Sequence, residues 1–353
     1  MRGPHRLEVA DVRRLTPEST AVHFAVPDDL AEVFAHEAGQ HVTIVRQEDG
    51  EEVRRSYSIC VPARSGQLAV GVRHLPGGRF SGFVADGLRA GDLLDVLPPA
   101  GRFGPEISPG ASRHHAFVAA GSGITPVISI VATVLAEEPG SRCTVVYGNR
   151  RTDTIMFVEE LEDLKNRYPS RLQLVHVLSR ESQPVPLLEG RLDAGRLGAL
   201  LDALLPPDAV DEWYLCGPFG MVHDARALLR ERGVASEHIH RELFHADAAP
   251  VTAPPAEDSG NGAATVTIVL DGRRSTFAVD GGSILEAALR NRPDAPYACK
   301  GGVCGTCRCR IVEGDVAMDH SYALEQDEVD AGVVLACQAH PRSERIVLDF
   351  DAR

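Results

Sequence analysis

Short runs rich in β-branched and aromatic residues occupy the first third of the chain. They fall at 22–26 (VHFAV), 41–45 (HVTIV), 55–60 (RSYSIC), 68–75 (LAVGVRHL) and 93–99 (LLDVLPP), with turn signals DG, SGQ and PGG between runs. Runs of this length and spacing predict an antiparallel barrel or sandwich. From about residue 113 the period changes. Strand-like runs at 115–120, 143–148, 172–179 and 213–218 alternate with helical runs at 126–138, 155–168 and 221–233. That alternation predicts a parallel sheet with helices on both faces.

Residues 245–264 (HADAAPVTAPPAEDSGNGAA) break the pattern. They hold almost no bulky apolar side chains and cannot bury enough surface to offset chain entropy, so 246–263 reads as a flexible linker. Beyond it come TVTIVL, a DG turn, STFAV, and Ser283 followed three residues later by Glu286. The last pair is a capping box opening a short helix. This end of the chain predicts a small α+β domain of about 90 residues.

One stretch has the length of a membrane span. Residues 116–136 carry no charge over 21 positions, and a span needs about 20 mostly apolar residues. Gly121, Ser122, Gly123, Thr125 and Pro126 interrupt it. A buried strand, a glycine turn and a helix are expected instead, with Thr125 as N-cap and Pro126 at the first helical position.

Composition narrows the classes. The 353 residues are 44% apolar and carry a net charge of −14. Two or three domains are expected, and an acidic surface argues against nucleic acid. The first residues lack the apolar core of a signal peptide. A cytoplasmic, reducing setting follows, where structural disulfides are rare, and the eight cysteines then need another purpose.

Cys299, Cys304 and Cys307 give C-x4-C-x2-C, and Cys337 stands alone downstream. That is the plant-type [2Fe–2S] spacing, whereas structural zinc more often takes two C-x2-C knuckles. Gly301, Gly302 and Gly305 let the backbone wrap closely and aim N–H groups at sulfur. Cys309 reads as a small buried residue.

Other motifs suit nucleotides. On the strand through 54–58, Arg55, Tyr57 and Ile59 share a face by period 2. An aromatic face beside a guanidinium suits a flat ring joined to a pyrophosphate; a core tyrosine and a solvated arginine are the ordinary alternatives. Gly77-Gly78-Arg79-Phe80-Ser81 reads as a phosphate-holding helix start or a hairpin turn. Gly121-Ser122-Gly123-Ile124-Thr125-Pro126 follows a strand and opens a helix, without the G-x-G-x-x-G fingerprint. His114 and His115 read as a strand edge.

RSYS at 55–58, GSGITP at 121–126, YGNR at 147–150 and CGPFGM at 216–221, in that order, resemble ferredoxin–NADP reductase-like flavoproteins. CKGGVCGTC and SYALEQDEV at 321–329 extend the resemblance to the reductase subunits of bacterial phenylacetyl-CoA epoxidases. The resemblance covers nearly the whole chain outside the linker. It implies an FAD-binding antiparallel β-barrel at 1–110, an NAD(P)-binding α/β domain at 111–245, and a plant-type ferredoxin domain of β-grasp type at 264–353. Arg55, Tyr57 and Ser58 would bind FAD, and Gly78, Phe80 and Ser81 its pyrophosphate. Gly121, Gly123 and Thr125 would face the nicotinamide nucleotide, with Cys216 and Gly217 beside its ring. Ser58, Cys216 and Glu242 would stand at the reacting rings, and Phe244 would cover the flavin. Cys299, Cys304, Cys307 and Cys337 would hold the cluster. Ser179 and Arg180, with Arg150, point to NADPH over NADH, because a 2′-phosphate needs fixed positive charge. The implied partner is a di-iron oxygenase that epoxidises phenylacetyl-CoA. The alternatives are a Rieske or steroid hydroxylase, a hybrid-cluster protein, or a redox-sensing role.

Overall fold

The computed structural model describes residues 3–48, 50–244, 264–324 and 326–352. Among them the chain forms two compact units, 1–242 and 243–353. The linker expected at 246–263 lies outside the described residues.

The first sheet is built from β1 (His5–Thr16), β2 (Ser19–Ala25), β3 (His41–Glu48), β4 (Glu51–Ser58), β5 (Leu68–Arg73) and β6 (Leu93–Val96), with helix α1 (Arg79–Asp86) after β5. Its order is β4-β3-β6-β1-β2-β5, and the pairings are antiparallel. Just past β4, Ile59 bridges Val70 of β5, and Cys60 N donates to Ala69 O at 3.0 Å. The two ends of the order therefore meet and the sheet closes into a barrel, which removes its open edges. Val9, Val42, Ile44, Val70 and Val96 fill the interior. Strand β1 was not legible in the sequence. Its pairing with β2 shifts register between Val9 and Asp11 and again between Arg14 and Thr16, and each bulge resets the alternation on which recognition of a strand depends.

The second sheet contains β7 (His114–Ala120), β8 (Arg142–Asn149), β9 (Leu172–Leu178), β10 (Glu212–Gly217) and β11 (Ile239–Leu243). Between them run α2 (Ile124–Glu137), α3 (Val158–Arg167), α4 (Ala194–Leu204) and α5 (Phe219–Glu231). The order is β11-β10-β7-β8-β9, with β10, β7, β8 and β9 parallel. The chain leaves β7 toward β9, then returns to β10 on the other side of β7. The topological switch point lies between the carboxyl ends of β7 and β10, where α/β sheets hold ligands.

The uncharged stretch is strand, turn and helix, as its glycines predict. Helix α2 is buried from Ile124 to Leu135 because it packs on the sheet and also against the barrel. Ser129 Oγ donates to Val61 O at 2.7 Å, and Thr133 Oγ1 accepts from Ala63 N at 2.9 Å. Among the described residues no helix is long and apolar enough to cross a membrane. Helix α2 is capped by Gly123 rather than Thr125, whose hydroxyl instead donates to Ser122 O at 3.0 Å. Helix α3 starts at Val158, three residues later than the pattern suggests, because Phe157 is left-handed at φ 58°. His115 lies on the central strand rather than an edge, fully buried beside Tyr214.

The second unit carries β12 (Ala264–Leu270), β13 (Arg273–Val279), α6 (Ile284–Asn291), β14 (Arg308–Glu313), β15 (Val316–Met318), α7 (Gln326–Asp330), β16 (Val333–Leu335), β17 (Ala339–Pro341) and β18 (Arg345–Asp349). The main sheet is β13-β12-β18-β14-β16, with β12 and β18 parallel and the other pairings antiparallel. This mixed sheet has the β-grasp form. Helix α6 opens with the expected capping box: Ser283 Oγ accepts from Glu286 N at 3.3 Å, and Glu286 Oε2 accepts from Ser283 N at 3.1 Å. Its buried face of Ile284, Leu285, Ala287 and Ala288 joins Val266, Ile268 and Leu335 in one core.

Candidate functional site

The turn after β7 and the end of β10 touch at the switch point. A Cβ on Gly123 would stand 2.1 Å from the Cys216 carbonyl oxygen, so only glycine allows this approach. Gly217 is similarly close to Met221 and Ala120. Gly121 is left-handed at φ 54°, and its carbonyl accepts from Tyr147 Oη at 2.9 Å. Thr125 turns its methyl toward Gly71 of β5, which fixes the barrel against this turn.

Four side chains converge beside the crevice. Ser58 Oγ donates to Glu242 Oε2 at 2.9 Å. His41 pairs with Ser58 across β3 and β4, so both point to one face. His41 Nδ1 lies 3.9 Å from Glu242 Oε1, and its Nε2 is buried without a hydrogen-bond partner. Burial raises the Glu242 carboxyl to about 7, against which the Ser58 hydroxyl acts in the lowering direction. Burial lowers His41 to about 4, which leaves the ring neutral. The Cys216 thiol is pushed up, first by burial and then by the Glu242 charge. A carboxyl that titrates near neutrality can hold or release a proton at working pH. Phe244 follows β11 and is half-buried.

On the barrel, Tyr57 is half-buried with its ring 5.4 Å from that of Phe80. Burial raises the Tyr57 hydroxyl, keeping it neutral. Arg55 is exposed and donates to Arg54 O at 2.7 Å. Gly78 caps α1, and Ser81 Oγ accepts from Leu75 N at 3.1 Å. The α1 start thus lies beside the Tyr57–Phe80 pair, and Arg55 shares the Tyr57 face of β4 by the period of the strand. These donors fit a flat ring with a pyrophosphate.

Beyond the ends of β8 and β9, Ser179 N donates to Asn149 O at 2.9 Å and Arg180 N to Arg150 O at 2.8 Å. The two arginines are neighbours for that reason. Arg150 Nη1 lies 3.8 Å from Glu18 Oε2, and Arg73 Nη2 lies 3.7 Å from the same oxygen. Arg73 also stands 3.4 Å from where a Cβ on Gly121 would be. Sequence reasoning missed Arg73 and His41. Arg73 is visible as the charge ending an apolar strand, and His41 only through strand pairing.

The cysteines fall into two pairs. Cys299 and Cys304 share a hydrogen bond that holds the first thiol low and the second high. Cys307 and Cys337 do likewise, with Cys337 low and Cys307 high. Gly301 N donates to Cys299 Sγ at 3.3 Å. Gly302 and Gly305 have φ of 75° and 66°, as the sharp wrap requires. Among the described residues no three His, Cys, Asp or Glu side chains converge on a point suited to one metal ion. Two such pairs fit a two-iron centre, as does the C-x4-C-x2-C spacing with a remote fourth cysteine. Cys309 lies on β14, buried, with its thiol pushed up by burial.

Comparison with known proteins agrees with this architecture. Residues 6–104 match the oxidoreductase FAD-binding domain, 117–227 the oxidoreductase NAD-binding domain, and 268–342 the 2Fe-2S iron-sulfur cluster binding domain. The chain is 42% identical to a component of the 1,2-phenylacetyl-CoA epoxidase of Escherichia coli, covering 99% of this chain and 98% of that protein. It is 33% identical to the ferredoxin reductase component of 3-ketosteroid-9-alpha-monooxygenase of Rhodococcus rhodochrous, over 98% and 96%. Phthalate dioxygenase reductase shares the fold at a TM-score of 0.58, with 22% identity and 98% of each chain covered. The chain belongs to the NAD(P)H-dependent FAD and [2Fe–2S] reductases that form the reductase components of multicomponent oxygenases.

Proposed function

We propose that this chain takes a hydride from NADPH at the β7–β10 crevice and delivers single electrons, through a cluster held by Cys299, Cys304, Cys307 and Cys337, to a di-iron oxygenase acting on phenylacetyl-CoA. The observation that carries the reading is the pairing of the four thiols in the same chain as the glycine-lined crevice. FAD accepts two electrons together and gives them up singly, which a one-electron cluster needs.

The chain's own residues do the positioning. Arg55, Tyr57 and Ser58 hold the flavin, and Gly78, Phe80 and Ser81 its pyrophosphate. Gly121, Gly123 and Thr125 set the depth of the nicotinamide nucleotide, and Cys216 with Gly217 forms the wall beside its ring. Hydride transfer demands contact of about 3–3.5 Å between reacting atoms with water excluded, and the close approach of Gly123 to Cys216 serves that demand. Ser58 and Glu242 hold a proton next to the ring edge. Arg150, Ser179 and Arg180 select the 2′-phosphate of NADPH. Phe244, which follows β11, would cover the flavin, as the resemblance implies.

The acceptor follows the stronger resemblance, 42% identity to the epoxidase component against 33% to the ketosteroid reductase. A cytoplasmic setting suits this reading, since a reducing compartment keeps the cluster thiols available. The test is reconstitution: purified chain, NADPH, the epoxidase oxygenase components and phenylacetyl-CoA. With O2 present, NADPH consumption should match conversion of phenylacetyl-CoA to its ring epoxide, one for one. Coupling to a ketosteroid oxygenase but not to the epoxidase would overturn the assignment.

A further inference from the structure

Gln338 follows Cys337 directly and is 7% exposed. Its backbone is pinned on both sides, with its N–H donating to Leu335 O at 2.9 Å and its carbonyl accepting from Asp319 N at 3.0 Å. A Cβ on Gly302 would stand 3.1 Å from Gln338 Cγ, so the side chain lies flat against the cysteine loop. Its Nε2 donates one N–H to Lys300 O at 2.9 Å and shares the other between Cys337 O at 3.2 Å and Cys337 Sγ at 3.7 Å. Lys300 is a non-glycine residue at φ 54° within the loop. The amide therefore fastens the strained residue of the loop and reaches a thiol at the same time.

We propose that Gln338 is a positioning residue that sets the reduction potential of the cluster by directing its side-chain N–H at the Cys337 sulfur. The proposal rests on the reading of Cys337 as a ligand. Reduction adds one electron, supplied by the flavin, and places more negative charge on the sulfurs with no bond made or broken. A donor aimed at a ligand sulfur favours the reduced form. The backbone donors of the loop, such as Gly301 N, depend on its conformation. The donor of Gln338 belongs to a side chain and can be removed on its own.

The experiment compares the full-length holoprotein with Gln338→Met, which keeps the length but has no N–H, and Gln338→Glu, which places an acceptor there. Iron content and an EPR-monitored redox titration are read for each. Gln338→Met should keep its full iron, and at fixed potential its ratio of reduced to oxidised cluster should fall about fivefold, the worth of one ordinary hydrogen bond. Gln338→Glu should fall further. An unchanged midpoint at full iron content overturns the proposal, as does loss of the cluster in both variants, which would leave Gln338 only a structural clasp. Cys337→Ala separates the two readings. A retained [2Fe–2S] spectrum in that variant removes Cys337 from the ligands, independently of the titrations.

Discussion

Ser58 Oγ donates to Glu242 Oε2 at 2.9 Å across 184 positions of sequence, joining the end of a barrel strand to the last strand of the parallel sheet. The hydroxyl favours the carboxylate, so its removal raises the Glu242 pKa above the present value of about 7. Ser58→Ala should move the inflection in the pH profile of flavin reduction upward and slow that step about 10- to 100-fold, the range for a hydrogen bond to a charged group. Stopped-flow reduction by NADPH across pH 5 to about 9 reads both quantities. An unmoved inflection would separate Ser58 from Glu242.

Glu242 also ties stability to pH. Its folded pKa of about 7 lies above the unfolded value of about 4.3. The folded chain thus holds this proton more tightly than the unfolded chain. The penalty for charging the group is absent below about pH 4, grows as pH rises, and is complete above about 7, where it reaches roughly 4 kcal/mol. Glu242→Gln should raise the unfolding midpoint of the flavin-loaded protein at pH 8 and change it little at pH 4. Equal stabilisation at both pH values would contradict the assignment.

Gly123→Ala places a methyl 2.1 Å from the Cys216 carbonyl oxygen. The turn and the β10 end must separate, and misplacement of about 1 Å costs about 100-fold in a positioned reaction. kcat/KM for NADPH should fall by that order, while flavin content and the cluster spectrum stay as they were. Steady-state kinetics beside an absorbance scan decides it; loss of flavin instead would place the damage in the barrel.

Arg150→Ala and Arg180→Ala should each raise KM for NADPH about tenfold with little change for NADH, because a guanidinium paired with a phosphate contributes on the order of 1.5–3 kcal/mol and the ribose hydroxyls need none of it. The ratio of kcat/KM for the two nucleotides is the readout. Equal losses with both nucleotides would assign the arginines to the shared pyrophosphate.

Serine at Cys299, Cys304, Cys307 or Cys337 should abolish the [2Fe–2S] absorption, and Cys309→Ala should keep it. Cys309 is buried on β14 with its Sγ donating to Val334 O at 3.8 Å, inside the core of the sheet. Iron assay and EPR on anaerobically purified protein give the answer. A cluster that survives loss of any of the four, or fails without Cys309, would redraw the ligand set.

What the sequence disclosed depended on how local each signal was. The cysteine spacing and the Ser283–Glu286 box are compact, and both are read off a few consecutive residues. The other five barrel strands were visible as short β-rich runs, while β1 was hidden by its two bulges. Helix α4 was obscured by Gly195 and Gly198, which weaken a helical pattern. Ser58 and Glu242 came only through family resemblance, since nothing nearby in sequence links them. His41 and Arg73 entered only when strand pairing and a turn brought them to the site.

The second thiol pair has its own consequence for how the molecule matures. Cys307 and Cys337 meet because β14 pairs with β16 and Ala336 N donates to Cys307 O at 3.1 Å. A nascent chain ending before that ladder owns only the first pair. On the proposed ligation, metal loading must wait until the ribosome has released Cys337, so a truncation before that residue would yield yellow protein with no working outlet for its electrons.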